Sequence, residues 1–176
     1  MCIINVYLTN LGKYNEGELI GEWVSLPIDD VELASARKRI GINELYEEEF
    51  LTDWECPIKA VSELIGEYTN IESLNGITEQ LNSIPEEDYP ILDAIYNMTG
   101  DFDNMLRKYN DGEYRVYYNC STMEDVARTY LEETGAFFNL PSYIENYFDY
   151  EAFGRDMSFE GSFSELSDGT IVEVYN

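Results

Sequence analysis

The sequence predicts an α+β fold, with small sheets toward both ends of the chain and a helical middle. Three observations carry that reading. Apolar and β-branched residues alternate near the N-terminus and again after residue 113. Between residues 70 and 96 the apolar positions recur at helical spacing. Charge divides the chain in the same way. Ile40 to Leu106 holds 16 acids and one base, Lys59, whereas other bases gather at Arg37-Lys38-Arg39 and Arg107 to Arg115. The chain thus separates into an N-terminal α+β segment (residues 1–60), a central acidic helical segment (61–106) and a C-terminal α+β segment (107–176).

The elements follow in order. Ile3 to Thr9 reads as a strand, Asn10-Leu11-Gly12 as a turn, and Glu18 to Leu26 as a second strand. Asp29 can cap a short helix, with Glu32 three residues on and Gly41 at its exit. Leu45 to Glu55 alternates, with Tyr46, Phe50 and Trp54 on one face and Glu47, Glu49, Asp53 and Glu55 on the other. One strand is therefore expected to display four carboxylates in a row. Asn70 opens a helix whose apolar face is Ile71, Leu74, Ile77 and Leu81. Ser83-Ile84-Pro85-Glu86 has the form of a capping box with Pro in the first turn, feeding Tyr89, Leu92, Ile95 and Tyr96. Glu113 to Cys120 reads as a strand with Tyr114, Val116, Tyr118 and Cys120 on one side. Thr122 caps a helix with Asp125 at its third position, and Gly135 ends it. A further helix is expected from Pro141, burying Ile144, Tyr147 and Phe148. Met157 to Leu166 and Thr170 to Tyr175 form a hairpin around Ser167-Asp168-Gly169.

The composition bounds the function. The chain has 36 Asp and Glu, 10 Lys and Arg and no His, a formal net charge of -26 over 176 residues. Hydrophobic residues make up 44%, enough to bury a core, so the charge belongs on a folded surface rather than a disordered tail. Self-repulsion makes that surface costly to the compact state. The simplest compensation is a partner that normally binds a polyanion. The same charge opposes direct binding to nucleic acid or an anionic membrane. No apolar run approaches a membrane span, and the N-terminus lacks a basic leader region. Cys2, Cys56 and Cys120 are scattered and odd in number, which fits a reducing cytoplasmic setting and no zinc site.

Chemical motifs are scarce. Asp101-Phe102-Asp103-Asn104 begins like a calcium loop, but Met105 and Leu106 stand where a ligand and the turn Gly belong, so the segment reads as a helix start capped by Asp101. Among 36 acids some pair always has glycosidase-like spacing, which makes that signal empty. Without His, and without Gly-x-Ser-x-Gly, Ser-x-x-Lys, a P-loop or a Gly-x-Gly-x-x-Gly, no enzyme class, cofactor or metal is indicated. Most tyrosines fall on apolar stripes, while Tyr68 and Tyr89 stand out as candidate exposed contacts.

The acidic rails remain. A solvated face or a halophile-type surface would explain them blandly. Duplex DNA carries about one charge per 1.7 Å, so the net charge of -26 matches roughly 44 Å, about 13 base pairs. Carboxylates along strands and helices can stand in for phosphates. The candidates in the first two segments are Glu47, Glu49, Asp53, Glu55, Glu63, Glu67, Glu86, Glu87, Asp88, Asp101 and Asp103. In the last segment they are Glu124, Asp125, Glu132, Glu133, Glu145 and Asp149.

Two stretches also resemble a known family. The first runs from Tyr7-Leu8-Thr9-Asn10-Leu11-Gly12 through Glu18-Leu19-Ile20-Gly21 to Trp23 and Leu26-Pro27. The second is Tyr130-Leu131-Glu132-Glu133-Thr134-Gly135, followed by Leu140-Pro141 and Tyr147-Phe148-Asp149-Tyr150-Glu151-Ala152-Phe153-Gly154-Arg155-Asp156. They are similar to the ArdA antirestriction proteins of mobile genetic elements. The resemblance implies a non-enzymatic DNA mimic that occupies the DNA groove of type I restriction-modification enzymes. It implies an elongated, curved chain of three small modules and a homodimer joined through the last. Phe137, Phe138, Tyr147, Phe148 and Phe153 are the apolar candidates for that interface. Other readings are an acidic module for another basic partner, such as a nucleoid protein or RNA polymerase, and a carboxylate-dependent hydrolase.

Overall fold

The computed structural model describes residues 4–141 and 143–175; Cys2 and Ile3, included above in the cysteine inventory and the first strand, lie outside them. The chain divides into two units, Met1–Tyr89 and Pro90–Asn176, each of α+β character. That division does not coincide with the expected segment boundaries at residues 60 and 106.

The first unit begins with β1 (Ile4–Asn10), a short helix α1 (Leu11–Asn15), β2 (Gly21–Leu26) and α2 (Asp30–Arg39). β3 (Glu49–Glu55), a single helical turn α3 (Lys59–Ser62) and α4 (Ile71–Leu81) follow. The sheet is antiparallel in the order β2-β1-β3. Ile4, Val6 and Leu8 alternate into the core with Val24, Leu26 and Leu51. Leu33 and Ala36 are the buried face of α2. Asn10 is fully buried and satisfied locally. Its side chain caps α1 by accepting from the Lys13 N–H at 3.0 Å and donates to the Ile40 carbonyl at 3.1 Å. The expected turn at Asn10-Leu11-Gly12 is therefore a capped helix, because Asn supplies the acceptor that the first turn lacks.

Contacts across residue 60 join α4 to the sheet side of this unit. The Asn75 side chain accepts from the Ile28 N–H at 2.7 Å and donates to the Ile28 carbonyl at 3.1 Å. The Leu51 N–H donates to the Glu67 carbonyl at 2.8 Å. Arg37 reaches Glu49 on β3 and Glu72 on α4 at once. Asn70 caps α4 as the sequence predicts, and Ile71, Leu74, Thr78 and Leu81 are its buried residues. Ser83 caps nothing. Pro85 instead leads into a single 3-10 turn over Glu86–Asp88, and the helix proper starts at Tyr89.

The second unit holds most of α5 (Tyr89–Thr99), then α6 (Phe102–Asp111), β4 (Tyr114–Tyr117) and α7 (Met123–Glu133). It closes with α8 (Tyr150–Glu160), β5 (Ser162–Glu165) and β6 (Ile171–Val174). The second sheet is antiparallel in the order β4-β6-β5. Met157 to Glu160, expected in the hairpin, continue α8 instead. β4 ends earlier than expected, at Tyr117. Asn119 then turns the chain with a φ of 58°, which leaves Tyr118 exposed and Tyr117 buried. The Tyr117 hydroxyl donates to Glu173 at 2.8 Å, and burial together with that carboxylate pushes its ionisation up. The core includes one cluster of Tyr117, Cys120, Val126 and Ile171 and another of Ala127, Leu131 and Tyr150.

Pro141 does not start a helix. Ser142 lies outside the described residues, and only a 3-10 turn, Glu145–Tyr147, precedes α8. Asp149 caps α8 through the Ala152 N–H at 2.9 Å. Asp is a strong helix cap, and α8 begins where Asp149 supplies it.

Candidate functional site

The bases are already spent within the fold. Among the described residues every Lys and Arg except Lys38 makes an ion pair with a neighbouring acid. Arg37 grips Glu49 through Nε at 2.8 Å and Glu72 through Nη2 at 2.7 Å. Its guanidinium holds the Glu72 carboxyl below the usual range. Arg39 bridges Glu22 and Glu32, both at 2.8 Å. Lys108, nearly buried, pairs with Glu113 at 3.2 Å and donates to the Tyr175 carbonyl. The net charge is therefore carried by acids that these bases leave over.

The expected rail of four carboxylates on one strand does not form. β3 starts at Glu49, so Glu47 lies in the preceding loop. Tyr7 pairs with Asp53 but Leu8 pairs with Leu51, which makes Thr52 an extra residue, a β-bulge. The bulge switches the faces. Glu49 and Leu51 lie on the α2 side, where Arg37 takes the Glu49 carboxylate. Asp53 and Glu55, beyond the bulge, lie on the other side with Tyr7 and Asn5. Trp54 is left half-buried on the core side, opposite Val6. Simple alternation cannot anticipate this, because one inserted residue inverts every later side chain.

The remaining candidates fall into two groups. Glu47, Asp53, Glu55, Glu67, Glu86, Glu87, Asp103 and Glu132 are exposed. Glu63 is exposed too, 3.8 Å from an exposed Lys59, and Asp88 is half-buried. The second group has local duties. Asp101 caps α6 through the Asn104 N–H at 2.8 Å, and Asp149 caps α8. Asp125 completes a capping box with Thr122, whose hydroxyl and backbone N–H hold the Asp125 carboxyl below the usual range. Glu124 pairs with Arg128 at 2.7 Å, Glu133 pairs with Arg115, and Glu145 accepts from the Tyr150 hydroxyl at 3.2 Å. Glu44, Glu48 and Glu79 are exposed acids that the sequence reading passed over. For Glu48 the signal is the run Glu47-Glu48-Glu49, which strand alternation through residue 48 obscures.

Of the two candidate contact tyrosines, Tyr68 is 76% exposed and Tyr89 only 6%. Tyr68 stacks on Phe50, with ring centroids 6.3 Å apart. The apolar candidates of the last segment also divide. Phe137, Phe148 and Phe153 join Tyr150 in an aromatic cluster with edge-on contacts, among them Phe137–Phe148 at 5.2 Å and Phe148–Phe153 at 5.6 Å. Phe138 and Tyr147 project outward, 88% and 86% exposed, with Leu140 and Tyr143 exposed nearby in sequence.

The model of the antirestriction protein (ArdA) family matches residues 6–172. The chain belongs to the ArdA antirestriction family. No curated protein matches it. Membership carries antirestriction function and an interaction with restriction-modification enzymes, as an inhibitor protein. Among the described residues no helix is long and apolar enough to cross a membrane. The exposed carboxylates of this ArdA member are thus its candidate contact groups.

Proposed function

We propose that the protein imitates duplex DNA, occupying the DNA-binding groove of a type I restriction-modification enzyme at its specificity and methyltransferase subunits. One observation carries this reading: the molecule pairs its few bases internally and leaves exposed carboxylates such as Asp53, Glu55, Glu67, Glu86 and Glu87 without an ion pair among the described residues. A groove lined by Lys and Arg exchanges its bound phosphates for such groups, with release of ions on both sides. Purified protein is expected to block DNA binding by a type I methyltransferase in competition with a duplex carrying its site. Inhibition that stays unchanged at saturating duplex overturns the competitive reading. No direct binding to duplex DNA is expected, since like charges repel.

The proposal includes a homodimer formed by the C-terminal segment, which doubles the mimic to about 26 base pairs by the same charge spacing. The exposed Phe138, Leu140, Tyr143 and Tyr147 offer apolar surface for it. Such an interface must overcome repulsion between two chains of net charge -26. Added salt screens that repulsion, so the dimer tightens while the inhibitor complex loosens. Sedimentation across a salt series reads the first effect, and a strict monomer at micromolar concentration and high salt rules the dimer out.

A further inference from the structure

Self-repulsion makes the placement of acid-bearing elements against one another a problem that the fold has to solve. β3 carries Glu49, Asp53 and Glu55, while α4 and the loop before it carry Glu67, Glu72 and Glu79. Arg37, on α2, stands between the two. Its Nε donates to both Glu49 oxygens, at 2.8 and 3.0 Å, and its Nη2 donates to Glu72 at 2.7 Å. Side-chain exposure is 31% for Arg37 and 18% for Glu49, so this pair is largely shielded from water. Neutral contacts cross the same boundary: the Leu51 N–H meets the Glu67 carbonyl, and Asn75 holds both backbone groups of Ile28. Lys59 and Arg128, by contrast, pair with acids one turn along the chain, Glu63 and Glu124.

We propose that Arg37 is a positioning residue for inhibition, fixing the spacing between the carboxylates of β3 and those on the α4 side. The inference rests on the mimic reading and deepens it, since spacing matters to a partner that reads fixed phosphate positions. One planar fork bonds Glu49 and Glu72 together, whereas a Lys ammonium supplies the charge without that geometry. Total charge and charge arrangement make opposite predictions here. Removing Arg37 makes the chain more acidic, which helps if the total decides. It also frees α4 from the sheet, which hurts if the arrangement decides.

The test uses the full chain. Arg37→Gln and Lys59→Gln each take the net charge one unit further from zero. Lys59→Gln is expected to inhibit at least as well as the parent. Arg37→Gln is expected to inhibit about tenfold less well, the worth of two or three exposed contacts. Arg37→Lys is expected to lose at least threefold at unchanged net charge, a loss that charge alone does not give. Amide hydrogen exchange separates positioning from general destabilisation. The Leu51 and Ile28 N–H groups, which bridge to the α4 side, are expected to exchange faster in Arg37→Gln, while Val6 and Leu8 on the central strand keep their protection. Glu72→Ala covers the case in which Arg37→Gln fails to fold, because Glu72 is half exposed. It is expected to show the same exchange pattern and to lose severalfold more inhibition than Glu79→Ala, its equal in charge. Equal inhibition by Arg37→Gln and Lys59→Gln, or unchanged Leu51 and Ile28 exchange in both Arg37→Gln and Glu72→Ala, overturns the proposal. Inhibition is scored against a restriction-modification enzyme that the parent inhibits. A parent that inhibits without competing with duplex DNA therefore overturns the mimic reading and leaves the Arg37 comparison readable.

Discussion

Replacing Asp53, Glu55, Glu63, Glu67, Glu86 and Glu87 together by their amides is expected to reduce inhibition of a type I enzyme by roughly 10²- to 10⁴-fold. An exposed ion pair contributes about 0.5–1 kcal/mol, so six of them supply about 3–6 kcal/mol, which sets that range. Any one alone, for example Glu87→Gln, is expected to cost about fivefold or less by the same magnitude. All six side chains are exposed, so the circular dichroism spectrum and melting temperature are expected to hold or improve as self-repulsion falls. Glu49 stays out of the set because its amide would strand the half-buried Arg37. Titrating inhibition of DNA cleavage against each variant checks the result. A single amide that abolishes activity while the sixfold change spares it would point to a local catalytic or metal site.

The second large effect concerns the crossing of α7 and α8. A Cβ added at Gly154 would sit 2.2 Å from the Met123 carbonyl oxygen and 2.6 Å from its carbon. Those are backbone atoms at the start of α7, which cannot swing aside as a side-chain tip would. Gly154→Ala must therefore push the helices apart, loosening the cluster of Ala127, Leu131 and Tyr150 between them. Overpacking of this kind costs about 1–3 kcal/mol, and the better helix propensity of Ala returns at most about 1 kcal/mol. A net loss of about 1 kcal/mol lowers the melting temperature of a unit this size by roughly 4–8 °C. Gly76→Ala is the contrast. Gly76 lies inside α4 with nothing within 4 Å of its added Cβ, so propensity alone acts and stability is expected to rise. Thermal melts of the two variants read opposite signs. If Gly154→Ala melts no lower than the parent, the close crossing is not what holds these helices.

What was legible in the sequence depended on short-range chemistry. Asn70, Asp101 and Thr122 with Asp125 cap the helices at the predicted places, since a cap needs only a side chain and a backbone N–H three residues away. The net charge of -26 needed no structure at all, nor did the expectation of a partner that binds polyanions. Which carboxylates remain for that partner was a different matter. Glu49 and Asp53 look equivalent along the chain, yet the bulge at Thr52 turns one toward Arg37 and leaves the other exposed. Tyr147 and Phe148 are adjacent aromatics. Phe148 lies in a ring cluster with Phe137, Tyr150 and Phe153, and Tyr147 does not. Gly154 reads as an ordinary weak spot in a helix until the Met123 backbone is found against it. Composition and local capping are properties of the chain itself. Bulge position, ion-pair choice and helix crossing are set by groups that meet only after residues 12 to 50 apart in sequence are packed together, and the tertiary structure alone decides them.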